Sequence, residues 1–187
     1  HTADQRNQRF KELELALVKE NKAKLARLLS ETHKPLIIQI EEAMTVWLTG
    51  IDFTRVTTPV LITAEMLAKM TITSGHPLTD QVFWVDGKHC MRPMLAPNLY
   101  EVMRNLLAIT NQPVRIFEIG SCFRKESQGA KHMNEFTMLN LVELAGVKDG
   151  EQLPRLETLA RGAMEAVGIN HYHIEVEKSE VYGETLD

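Results

Sequence analysis

Between residues 117 and 144 an Arg-x-Glu (Arg124, Glu126) is followed, across a polar glycine-containing loop over 125–134, by a His-x-x-x-Phe (His132, Phe136). A guanidinium keeps its charge and offers a planar fork of donors to phosphate or carboxylate oxygens. An aromatic face suits a flat base. Side chains on a strand alternate faces with period two. Cys122, Arg124 and Glu126 therefore share one parity, and Phe136, Met138, Asn140 and Val142 share another. Phe117, Ile119 and Phe123, with Leu139 and Leu141, fall on the opposite faces and are available to a core. A hairpin in suitable register would gather a guanidinium, a carboxylate, an aromatic ring and an amide on one face. Such a face could hold a nucleotide beside a second small polar ligand. Taken alone, Arg124 and Glu126 also describe an exposed ion pair of little energetic weight.

The elements that must carry these groups follow from periodicity and turn chemistry. Residues 6–29 read as a helix with apolar positions Phe10, Leu13, Leu17, Leu25 and Leu28. Residues 35–48 read as a second, opened by Pro35 and closed by Gly50, with a stripe of Ile37, Ile40, Met44, Trp47 and Leu48. Residues 53–62 are β-rich, and Pro59 within them demands an edge, a bend or a subunit boundary. Thr63 is the expected N-cap of a short helix over 64–70, and 71–80 reads as a polar loop. Asp86-Gly87 predicts a hairpin between 81–85 and 88–92. Pro97 opens a helix to about Ile109 with Leu99, Met103 and Leu106 on one side. After the 117–144 hairpin, a loop over 146–150 precedes an amphipathic helix over 153–167 stopped by Gly168. Residues 171–176 alternate as a strand, and 181–187 begin another segment. Helices beside an antiparallel sheet make an α+β fold, divided into a helical region 1–50 and a core 51–187.

The chain has 187 residues, enough to bury a sizeable core, with 44% hydrophobic and 25% charged residues. No apolar run approaches the roughly 20 residues that span a bilayer, and no secretory leader is visible. No membrane role and a cytoplasmic location are the expectation. Cys90 and Cys122 form neither a C-x-x-C nor a disulfide framework. Reduced, buried thiols are expected in preference to a metal or redox role, and no metal ligands are assigned. A net charge of −4 argues against indiscriminate nucleic-acid binding. Lys19, Lys22, Lys24 and Arg27, on one helix, read as a solvated face or as a local RNA contact.

Arg-x-Glu, a loop and His-x-x-x-Phe together resemble the second motif of class II aminoacyl-tRNA synthetases. The helix over 35–48 and the strand bearing Pro59 are similar to the first motif, which forms a dimer interface. The runs RKES and HMNEFTMLNL, with MRPMLAPNLY at 91–100 and VYGETLD at 181–187, narrow the resemblance to the pyrrolysyl-tRNA synthetase family. The likeness covers most of the chain from Thr54 onward. It implies ATP and Mg2+, a class II antiparallel sheet flanked by helices, and a homodimer. It also implies pyrrolysine and its cognate tRNA as partners, the latter held in some members by a separate tRNA-binding polypeptide.

Carried over residue by residue, the resemblance gives Arg124 the α-phosphate and the amino-acid carboxylate. Glu126 would accept from the adenine amino group, His132 would meet the outer phosphates, and Phe136 would stack on adenine. Met133 falls within the same ATP-binding block. Leu95, Ala96, Leu99, Tyr100, Met103, Met138 and Val142 match an apolar amino-acid pocket. Asn140 would hold the side-chain carbonyl of pyrrolysine, and Tyr100 and Tyr182 would cover the ligand. Val142 stands where the family often has cysteine, which implies an altered pocket shape. No GFGLERL-like third motif follows, so the expectation is a fold incomplete at its C-terminus. The rival expectation is a non-catalytic binding module, or one half of a split enzyme completed by a C-terminal fragment.

Overall fold

The computed structural model describes residues 2–30, 34–125, 133–179 and 183–186. It divides into two compact units, residues 1–39 and residues 40–187. The first is built around α1 (Ala3–Ser30), none of whose side chains is buried. Thr2 and Gln5 open α1 as a reciprocal cap: the Gln5 N–H donates to the Thr2 hydroxyl and the Thr2 N–H to the Gln5 side chain. Pairs such as Lys24 with Glu20 line its surface. The next helix, α2 (Leu36–Gly50), follows Pro35, and its later turns belong to the second unit.

The β-rich stretch over 53–62 is not one strand. It holds β1 (Thr54–Arg55) and β2 (Leu61–Thr63), which pair into different sheets. Thr63 caps α3 (Ala64–Ala68) as expected, accepting from the Met66 N–H. The expected loop over 71–80 contains α4 (Pro77–Gln81), capped by the His76 ring nitrogen Nδ1, which accepts from the Leu78 N–H. The Asp86 carboxylate does accept from the Lys88 and His89 N–H groups to tighten the turn. The upstream arm of that hairpin is reduced to a single bridge, Trp84 to Cys90. Its downstream arm, β3 (His89–Met91), pairs antiparallel with β2 instead.

The centre of the unit is a three-stranded sheet. The strands β4 (Val114–Phe123) and β5 (Glu135–Leu144) form an antiparallel ladder from Val114↔Leu144 to Phe123↔Glu135. On the other side of β4 lies β1, and that pairing is parallel, Thr54 facing Ile116. One face of the ladder presents Phe117, Ile119, Leu139 and Leu141 to Trp47 and Leu48 of α2 and to Leu159 of α6 (Gln152–Ala166). The other presents Ile116, Cys122, Phe136, Met138 and Val142 to Leu99, Met103 and Leu106 of α5 (Ala96–Ile109). Residues that differ by one along the strand thus go to opposite cores, as period two requires.

Two details lock this layering. Gly162 admits the Trp47 indole, since a Cβ there would lie 2.5 Å from the ring. Glu143 accepts from Arg115 at 2.6 Å and from Arg155 at 2.8 Å, joining β4, β5 and α6. Gly168, at φ 75°, ends α6 where a side chain would be strained, and the Ile169 N–H closes the turn on the Met164 carbonyl. Beyond α6 the expected strand over 171–176 begins only at its last residue, as β6 (Val176–Ser179), paired antiparallel with β7 (Gly183–Leu186). Among the described residues no helix is long and apolar enough to cross a membrane.

Candidate active site

The register of the ladder decides which polar groups meet. Cys122 faces Phe136, Gly120 faces Met138, and Glu118 faces Asn140. Directly opposed residues share a sheet face, so these six side-chain positions look toward α5. Leu95 and Leu99 are fully buried there beside the largely buried Val142, and Tyr100, Met103, Phe136 and Met138 pack half-buried around them. Leu106, expected on the apolar side of α5, belongs to the same cluster, as do Ile116 and Val102, which were not singled out by sequence. Ala96 packs into the adjoining core of Ile62, Leu67 and Cys90, with Tyr100 touching both. Asn140 is half-buried on the ladder face.

Arg124 extends the ladder by one step, its N–H donating to the Asn134 carbonyl. Its Nε donates to the Pro93 carbonyl at 2.9 Å, and its guanidinium lies over the Phe136 ring, 5.3 Å from the centroid. A contact of this kind contributes cation–π attraction. Lys125, next in the chain, is tied by its N–H to the Gln81 carbonyl and sits 5.7 Å from the Phe83 ring centroid. Met133 is exposed. Glu126, His132 and Tyr182 lie outside the described residues.

Beneath the face runs a buried polar network that local sequence reasoning missed. Arg92 is 3% exposed and Glu118 1%, and they pair at 2.8 Å. Thr58 donates to Glu118 from its N–H and its hydroxyl, and accepts on that hydroxyl from Arg92 and Asn98. Asn98 also donates to the Pro59 carbonyl, while its Oδ1 has no partner among the described residues. The partners stand 26 to 60 residues apart along the chain. The visible signal was a polar residue at strand parity, Glu118, in an otherwise apolar run. Burial pushes the Cys122 thiol up to about 11, Arg92 and Arg124 pulling weakly the other way. Among the described residues no three His, Cys, Asp or Glu side chains cluster as a metal centre.

What the arrangement offers is an apolar ladder face packed against α5, with an amide on that face and an oriented guanidinium at its end. The family model of tRNA synthetases class II (D, K and N) matches residues 19–182. The crystal structure of pyrrolysyl-tRNA synthetase from Desulfitobacterium hafniense is similar to all of this chain, at 49% identity and a TM-score of 0.88, and the chain covers 67% of it. A second structure of a pyrrolysyl-tRNA synthetase from the same organism gives 47% identity and a TM-score of 0.86, with 100% and 64% covered. The ATP phosphoribosyltransferase regulatory subunit/histidyl-tRNA synthetase from Bacillus halodurans C shares the fold, with a TM-score of 0.62 at 16% identity over 79% of this chain and 41% of its own. The chain spans about two thirds of the length of the pyrrolysyl structures it matches.

Proposed function

The chain belongs to the class II tRNA synthetases, in the pyrrolysyl-tRNA synthetase family, and on that premise we propose that the protein it forms activates pyrrolysine, or another Nε-acylated lysine, with ATP and passes the aminoacyl group to its tRNA. The observation that carries the reading is the placement of Arg124 over Phe136 at the end of the ladder face that packs on α5, with Asn140 on the same face.

Adenylate formation is an in-line attack of the amino-acid carboxylate on the α-phosphorus, with the electron pair of the broken P–O bond leaving on pyrophosphate. The carboxylate is already ionised at neutral pH, so no general base is needed. The protein must position two anions and offset the charge that gathers between them. With its Nε held by Pro93, the terminal nitrogens of Arg124 are the donors that would span both. Phe136 stacks on adenine, and Glu126 and His132 complete the nucleotide contacts, in this reading. Class II synthetases use magnesium with ATP. Among the described residues no three His, Cys, Asp or Glu side chains gather to cage the ion.

The same reading makes the working enzyme a two-fold homodimer with Pro59 near its interface. Val46, Val60 and Leu61 are exposed apolar residues that such an interface would cover. The central test is amino-acid-dependent ATP–pyrophosphate exchange by the complete protein. Arg124→Ala is expected to lower it by at least about 10²-fold, the usual cost of removing a donor from developing phosphoryl charge. Undiminished exchange in a folded Arg124→Ala protein overturns the role given to Arg124.

A further inference from the structure

An arginine–glutamate pair with both partners almost wholly buried is an expensive way to fill space. Apolar residues of the same volume would serve stability as well or better. What the pair supplies is direction. The Nε of Arg92 donates to the Ser121 carbonyl at 2.8 Å, while its Nη1 reaches the Thr58 carbonyl at 3.1 Å and Glu118 at 2.8 Å. Lysine, a single point of charge, could not span these positions at once. Gly120 leaves the strand surface bare under the guanidinium: a Cβ there would collide with Nη2 of Arg92.

The fixed side chain holds its own backbone. The Arg92 N–H donates to the Val60 carbonyl and the Arg92 carbonyl accepts from the Phe123 N–H, both at 2.9 Å. The next carbonyl, that of Pro93, is the acceptor for Nε of Arg124. Two hydrogen bonds joined by the Arg92–Pro93 peptide link therefore connect Glu118 through Arg92 to Arg124. We propose that Arg92 is a positioning residue: clamped by Glu118, Thr58 and Ser121, it sets the Pro93 carbonyl that aims the Arg124 guanidinium at ATP. The inference rests on the reading of Arg124 as the phosphate-binding group.

The test is a double-mutant cycle on the Kd of ATP, measured by calorimetry with the complete protein. Arg92→Lys keeps the charge and loses the fork. It is expected to weaken ATP binding about tenfold when Arg124 is present and less than twofold in an Arg124→Ala background, because its effect passes through Arg124. Gly120→Ala, which displaces the Arg92 guanidinium without touching its charge, should show the same pattern and carries the test if Arg92→Lys does not fold. Equal losses in both backgrounds overturn the proposal and leave Arg92 a purely structural residue, with the reading of Arg124 intact. An Arg124→Ala protein that binds ATP as tightly as the parent overturns the reading of Arg124 itself.

Discussion

Glu118 and Asn140 stand directly opposite each other in the β4–β5 ladder, a buried carboxylate beside a half-buried amide on one sheet face. The carboxylate is not available to a ligand. One oxygen accepts from Arg92 and the Thr58 N–H, and the other from the Thr58 hydroxyl at 2.6 Å. Among the described residues, a free lysine ammonium beside Asn140 would find in Glu118 no uncommitted negative charge, and burying it unpaired costs several kcal/mol. An acylated lysine brings no charge, and its carbonyl can accept from the Asn140 amide. The complete enzyme should therefore activate an Nε-acylated lysine in preference to lysine. Asn140→Ala should raise KM for the acylated substrate about tenfold, matching roughly 1–3 kcal/mol for a carbonyl left unpaired. Exchange assays with both amino acids decide it, and equal activation of free lysine would show the pocket reading wrong.

Glu143 governs an acid limit on stability. Burial alone would raise its pKa, but hydrogen bonds from Arg155 and Arg115 outweigh that and hold it below the usual value of 4.5. A carboxylate whose folded pKa is depressed stabilises the fold fully above its unfolded pKa, and this stabilisation fades as pH falls through the folded value. Glu143→Gln should cost roughly 1–3 kcal/mol at neutral pH. In urea unfolding the gap between parent and variant should be constant from pH 7 to about 5 and shrink below about 4.5. A gap that persists into acid would mean that packing, not charge, sets the cost.

The ladder itself was legible because period two sorted Phe117, Ile119, Leu139 and Leu141 from Cys122, Phe136 and Met138, and the two groups do enter different cores. Gly168 was legible for the same kind of local reason, a backbone angle that other residues resist. The 53–62 stretch misled because its split is caused from outside. The Thr58, Pro59 and Val60 carbonyls bond to Arg92 and Asn98, residues more than thirty positions away, and so leave the sheet. The helix α4 was missed because its cap is His76, a residue outside the usual capping set. Parity could place Phe136, Met138, Asn140 and Val142 on one ladder face, while the candidates on α5 came from the family resemblance and not from spacing. The clamp that supports them could not be read in this way, since nothing local marks a contact made across sixty residues.

Both thiols should be inert in the folded protein. Cys90 and Cys122 are buried and free, and burial pushes each pKa up to about 11. At pH 8 about one thiol in a thousand would be ionised even if reagent could reach it, and the thiolate is the reactive form. An aromatic disulfide reagent should titrate no thiol among these two in native buffer and both after unfolding. Rapid native labelling of Cys122 would show that the face toward α5 opens to solvent far more often than its packing implies.

The last expectation concerns assembly. Leu61 lies in β2, 50% exposed, next to Val60 at 38%, and both follow Pro59, whose carbonyl is pinned by Asn98. An apolar edge held this rigidly has already lost the freedom that binding would otherwise cost, which favours association. A two-fold contact would apply each residue twice, so one substitution changes both halves of the interface. Leu61→Lys would place two ammonium groups in the proposed interface while leaving the buried Ile62 and the β2–β3 ladder in place. The complete protein should sediment as a dimer and the variant as a folded monomer at the same concentration. Since the Arg92–Val60 backbone bond ties this edge to the segment that aims Arg124, the monomer should also lose exchange activity. A parent protein that sediments as a stable monomer at high concentration would rule the interface out.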